Sequence, residues 1–115
     1  MKVNYWIYIE KEILNLSDRF SILFGVTDFF RYYENVWEWI EGYSYKLNAK
    51  VNISRIHNFE QGEYEKPLCI QLEFQGEQDC KIVDEIGKSI AKELKTPVMN
   101  GEINHLKGTD YEYRN

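Results

Sequence analysis

Strict alternation of apolar and polar positions opens the chain. Val3, Tyr5, Ile7 and Ile9 fall on one parity and Asn4, Trp6, Tyr8 and Glu10 on the other. This predicts a half-buried strand over Lys2–Glu10. Its second face carries Trp6 and Tyr8 where polar residues are expected. From Lys11 to Asp18 the pattern is open: Ile13, Leu14 and Leu16 suit a turn of helix or part of a loop, and Ser17 and Asp18 are turn formers. Phe20, Ile22 and Phe24 alternate again, so Arg19–Gly25 reads as a second strand, with Gly25 permitting a tight exit.

The period then changes. In Thr27–Leu47 (TDFFRYYENVWEWIEGYSYKL) the residues Phe29, Tyr33, Val36, Ile40, Tyr43 and Leu47 recur at spacings of three and four. That predicts one long helix with an apolar stripe. Thr27 is its N-cap, and Asp28 complements the helix dipole in the first turn. Phe30 with Trp37 and Tyr32 with Trp39 flank the stripe on opposite sides, and Glu34, Glu38 and Glu41 fill what remains. Gly42 is a weak point within it. Aromatic stripes are usually core. The surplus on the flanks is the more informative feature, because Trp and Tyr supply large contact area at interfaces.

Beyond this helix, Lys50–Phe59 reads as a strand whose alternation slips at Ile56, which a bulge near Ser54 or Arg55 would reconcile. Glu60–Lys66 is a polar loop, and its Glu60, Glu63 and Glu65 are read as a solvated hairpin tip. Pro67 opens a strand in which Leu68, Ile70, Leu72 and Phe74 alternate with Cys69, Gln71, Glu73 and Gln75. Asp79 caps a second helix with the stripe Ile82, Ile86, Ile90 and Leu94, supported by Val83, and Gly87 beside it implies a close neighbour. Lys92 and Lys95 suit the C-terminal dipole, and Thr96-Pro97 stops the helix. Asn100-Gly101 is a turn, Ile103–Lys107 a short last strand, Lys107–Asp110 a second turn, and Tyr111–Asn115 either an edge pairing or a frayed tail.

These elements fit one α+β domain over residues 1–115. The expected architecture is a two-layer sandwich, in which two helices pack on one face of an antiparallel sheet. It resembles the ferredoxin-like split βαβ arrangement. Strand parity leaves an open sheet face carrying Trp6, Tyr8, Asn52, Ser54, Cys69, Gln71 and Glu73.

The chain has 115 residues, a net charge of −5 and 16% aromatic residues. A negative surface repels phosphate backbones, so no nucleic-acid partner is expected, and the aromatic strand motif of RNA-binding sheets is missing. No apolar run is long enough to span a bilayer, and the strand-like first residues do not read as a leader. Cys69 and Cys80 form neither a disulfide framework nor a metal spacing. The expected setting is cytoplasmic, with no cofactor and no metal.

No catalytic residue is assigned. His57 and His105 lack metal-ligand spacing and are read as strand histidines bonded to neighbours. No serine has a nucleophile-elbow context, and Asp79 and Asp84 oppose thiolate formation at Cys80. Size, charge, aromatic excess and the missing catalytic motif point to a non-enzymatic protein-binding domain. One concrete form is an immunity- or inhibitor-type protein that masks a basic partner. The partner-facing candidates are Trp6, Tyr8, Tyr32, Glu34, Trp37, Glu38 and Trp39. The alternative is a small enzyme or ligand-binding protein on a dimeric ferredoxin-like scaffold, and the open sheet face also offers a homodimer surface.

Overall fold

The computed structural model describes residues 1–9, 11–34, 37–56, 67–101 and 111–113. In chain order the elements are β1 (Lys2–Ile7), α1 (Ile13–Phe24), β2 (Phe30–Glu34), β3 (Trp37–Ser44), β4 (Ala49–Ile56), β5 (Leu68–Phe74), α2 (Cys80–Leu94), β6 (Val98–Asn100) and β7 (Tyr111–Tyr113). The fold is α+β. Among the described residues, seven strands form one sheet in the order β2-β3-β4-β5-β1-β6-β7, and every neighbouring pair is antiparallel. As a whole this order is not the ferredoxin-like one. The loop expected at Glu60–Lys66, the strand expected at Ile103–Lys107, the turn that follows it, and both histidines lie outside the described residues.

The largest correction concerns Thr27–Leu47. It is not a helix. β2 and β3 form an antiparallel hairpin in which Tyr32 opposes Trp39 and Phe30 opposes Glu41. Tyr, Phe, Trp and Ile favour a pleated surface, and each half of the segment finds its hydrogen-bond partners across the hairpin. Thr27 therefore caps nothing. Gly42 has a packing role instead: a Cβ there would stand 2.5 Å from Val26 Cγ1 and 3.0 Å from the Asp28 carbonyl oxygen. The chain between α1 and β2 crosses directly against β3 at that point.

The second correction is the reverse exchange. Arg19–Gly25, expected as a strand, belongs to α1. Ile13, Leu16, Phe20 and Phe24 are its buried residues, at helical spacings of three, four and four. Gly25 ends it in the left-handed region at φ 65°, where a side chain would be strained. Ile22, the residue that suggested alternation, points to solvent. The third correction is at Ser54–Arg55, where β4 pairs with β3 in unbroken register from Ala49 to Ile56. No bulge is present, and Arg55 occupies the core-side parity after Val51 and Ile53.

β1, β5 and α2 form where the pattern placed them. Val3, Tyr5 and Ile7 share a buried face with Leu68, Ile70, Leu72 and Phe74. α2 is capped by Asp79, whose side chain accepts from the Ile82 amide at 2.9 Å. Its buried residues are Val83, Gly87, Ile90, Ala91 and Leu94, a stripe rotated slightly from the expected one, so that Ile82 is exposed. The buried residues of both helices join the same apolar cluster as the core-side residues of the strands.

Tyr5 lies at the centre of this core, and its hydroxyl donates to the Val83 carbonyl at 2.7 Å. Burial pushes its phenol far above the ordinary range, with smaller contributions from Tyr113 and Asp84. The unfolded chain titrates Tyr at about 10. Tyr5 thus contributes stability that is fully present below about pH 10 and is lost as pH rises further, at up to about 1.4 kcal/mol per pH unit. Urea titrations above about pH 10 are expected to show a shallower loss for Tyr5→Phe than for the native chain. Equal slopes would contradict this assignment.

Candidate functional site

The hairpin changes which residues share a surface. In an antiparallel sheet, directly opposed residues lie on the same face. Following the register across the sheet, Tyr32 opposes Trp39, Trp39 opposes Ser54, Ser54 opposes Cys69, Cys69 opposes Trp6, and Trp6 opposes Met99. Their parity is opposite to that of the core residues. They form one continuous row across β2, β3, β4, β5, β1 and β6, on the face turned away from the apolar cluster.

The row is built at its ends. The Tyr32 and Trp39 rings stack with centroids 5.5 Å apart and planes 14° from parallel, the offset-stacked range for aromatic pairs. Tyr32 is exposed and Trp39 half-buried. At the other end, the Trp6 indole N–H donates to the Gly101 carbonyl at 2.6 Å, which fixes the ring's orientation. Small Ser54 and Cys69 separate the two aromatic ends.

A polar row runs beside it. Phe30 opposes Glu41, Glu41 opposes Asn52, Asn52 opposes Gln71, and Gln71 opposes Asn4. The Gln71 amide donates to Asn4 Oδ1 at 3.0 Å. Next to it, Tyr43 opposes Lys50 and Lys50 opposes Glu73. The Tyr43 hydroxyl donates to Asn48 Oδ1 at 3.1 Å and accepts from the Gln75 amide at 3.2 Å. A groove of about 420 Å³ is lined by Phe30, Glu41, Tyr43, Lys50, Asn52, Gln71 and Glu73, among others.

Of the residues selected from sequence, Trp6, Tyr32, Trp37 and Trp39 lie on this face, as does Glu34, which opposes Trp37. Tyr8 follows β1 and is exposed. Glu38 does not belong to the surface. It is 8% exposed, sits on the core-side parity with Ile40, and accepts from Arg31 Nε at 3.0 Å with an ion pair to Nη2 at 2.9 Å. It is a structural acid and not part of a rim. Asn52, Ser54, Cys69, Gln71 and Glu73 fall where the strand parity placed them. Phe30, Glu41, Tyr43, Lys50 and Met99 complete the face. Their place follows once Tyr32 is read as the cross-strand neighbour of Trp39 and not as a residue two helical turns away.

The chemistry of the face is contact chemistry. Among the described residues, no group of three or more His, Cys, Asp or Glu side chains is placed to hold a metal ion. Cys69 is half-buried and Cys80 exposed, and the two are not joined in a disulfide. Among the described residues, no helix is long and apolar enough to cross a membrane. The chain matches no family model, no curated protein and no solved structure.

Proposed function

We propose that this chain is a non-enzymatic protein-binding domain that docks a partner on the open sheet face. The observation that carries the reading is the Tyr32–Trp39 stack, which lies away from the core and in one row with Trp6. Aromatic rings stacked on a regular strand pair are already ordered, so little side-chain entropy is lost when a partner covers them. Trp and Tyr are also the residues that most often dominate binding energy at interfaces. The architecture behind the proposal is a two-layer one, with both helices on the core side of the sheet.

Glu34, Glu41 and Glu73 outnumber Lys2 and Lys50 around the row, and the chain carries −5 overall. Both features favour a basic partner, as for an immunity- or inhibitor-type protein, and disfavour nucleic acid. Cys69 and Cys80 are not joined in a disulfide, which suits a cytoplasmic setting. A second copy is the competing occupant of the same face. The groove lined by Phe30, Glu41 and Asn52 favours a second reading, a small-ligand site on the same face.

The test begins with the purified chain as bait for proteins of its native cell, followed by titration with the recovered partner. Trp39→Ala and Tyr32→Ala are each expected to weaken that complex by about 30-fold or more, the effect of a hot-spot residue. Tyr45→Ala, at an exposed position in the β3–β4 turn, is expected to change it by less than about twofold. Binding that survives both first substitutions, or a bait that retains no partner, would sink the proposal.

A further inference from the structure

We infer that β2 is a pairing edge, through which two copies of this chain join antiparallel into one continuous sheet with Tyr32 on the two-fold axis. This goes beyond the partner surface above: it uses the rim of the sheet and not its face.

β2 ends the sheet, with β3 as its neighbour among the described residues. All five of its residues, Phe-Arg-Tyr-Tyr-Glu, are exposed. An edge strand presents backbone N–H and C=O groups that can template another strand, and soluble proteins usually blunt such edges with lysine, proline or a bulge. β2 carries no lysine and no proline, and its register with β3 is regular from Phe30 to Glu34. Its only cation, Arg31, is held by the ion pair to Glu38.

The sequence of β2 also selects one register. Face matching allows only pairings that place residues of equal parity opposite one another. Centred on Tyr32, the pairing uses the whole strand: Phe30 opposes Glu34 of the second copy, Arg31 opposes its Tyr33, and Tyr32 opposes its Tyr32. No like charges meet. Centred on Arg31, two guanidinium groups would oppose each other, which is unfavourable. Centred on Tyr33, Phe30 and Arg31 would lose their opposites in the strand. The favoured register also repeats chemistry already present. Arg31 lies 5.8 Å from the Tyr33 ring centroid within the chain, and the second copy would bring another Tyr33 beside it. The aromatic row would continue as Trp39, Tyr32, then Tyr32 and Trp39 of the second copy.

At −5 the chain repels its own copies, and the Tyr32-centred register limits that repulsion by setting the two Glu34 carboxylates opposite Phe30 rather than opposite each other. A five-residue edge buries less than the roughly 1,000 Å² of stable interfaces. The dimer is therefore weak and concentration-dependent.

Sedimentation equilibrium from about 10 µM to about 1 mM is expected to show a monomer–dimer transition with a midpoint on the order of 100 µM. Tyr32→Lys, which sets two ammonium groups across the axis, shifts that midpoint upward by at least about tenfold. Register is read separately by oxidative cross-linking in a Cys69→Ser, Cys80→Ser background. Opposed residues have Cα atoms about 4.5–5.5 Å apart, within disulfide range, so Tyr32→Cys forms a covalent dimer. Phe30→Cys stays reduced, because its copy lies four residues along the strand, about 13 Å away. A strict monomer at the highest concentration overturns the inference, and so does cross-linking of Phe30→Cys as fast as Tyr32→Cys.

Discussion

Arg55→Met is expected to lower the unfolding free energy by about 3 kcal/mol. Arg55 is 4% exposed and stands on the core side of β4, opposite Glu38. Its Nη1 donates to the Lys11 carbonyl and its Nη2 to the Ile9 carbonyl, each at 2.7 Å. Hydrogen bonds from a charged donor contribute about 1.5–3 kcal/mol each, and losing both leaves two carbonyls without these donors. Relief of a buried cation offsets part of that loss. Methionine keeps most of the aliphatic stem, so the measured change reports the loss of the guanidinium together with the space its tip filled. The two carbonyls lie on the connection from β1 to α1. Glu12, at the N-cap of α1, makes no side-chain cap bond, and Arg55 ties this turn to β4 through the Ile9 and Lys11 carbonyls. Denaturant unfolding gives the magnitude, and hydrogen exchange locates the effect: amides in the first turn of α1 should lose protection first. Arg55→Lys should recover little, since a single ammonium does not reproduce the planar fork. A change below about 1 kcal/mol for Arg55→Met would contradict this role.

The same residue shows why parts of the fold were not legible in the sequence. Arginine at a core-side parity breaks the apolar alternation of Val51 and Ile53, and a bulge was the economical way to explain the break. The structure keeps the register and satisfies the charge instead. The hairpin was obscured in a related way. On β3 the core-side positions are Glu38, Ile40, Gly42 and Ser44, and the outer ones are Trp37, Trp39, Glu41 and Tyr43. The usual polarity of a half-buried strand is partly inverted, because Glu38 meets Arg31, Gly42 admits the Val26–Phe29 crossing, and Ser44 donates to the Phe24 carbonyl. What remained visible was a three-and-four spacing that the fold does not use. The sequence between the two strands, Asn35-Val36, also lacks the Asn-Gly signature that marks tight hairpins. In α1, Phe20 and Phe24 belong to a helical stripe, but Ile22 between them mimics alternation. Where polarity and parity agree, in β1, β5 and α2, the elements were legible. So was the open-face content of β1, β4 and β5, because those strands bury one face completely and leave their other parity defined by exclusion.

Gly87→Ala is expected to destabilise the native chain by about 1–2 kcal/mol, yet to stabilise a Tyr113→Ala variant by about 0.5–1 kcal/mol. In an exposed helix the same substitution is favourable, since glycine costs about 1 kcal/mol relative to alanine. Here a Cβ on Gly87 would stand 2.2 Å from Tyr113 Cε2 and 2.3 Å from Cδ2. The ring cannot swing aside freely. Tyr113 is 5% exposed, its hydroxyl donates to Asp84 Oδ1 at 2.7 Å, and its ring lies 6.3 Å from that of Tyr5. Making room means moving β7 away from α2, which strains the pairing of Tyr113 with Val98. Overpacking of this kind costs about 1–3 kcal/mol, enough to outweigh the helix gain. Truncating Tyr113 removes the obstruction and leaves only the gain. The sign reversal across the double-mutant cycle is therefore the diagnostic, and it separates ring contact from any general effect of alanine in α2. Additive changes, with Gly87→Ala carrying the same sign in both backgrounds, would show that β7 does not dock through Tyr113. That docking gives α2 a close neighbour at Gly87, the one feature of the helix that its apolar stripe left unexplained.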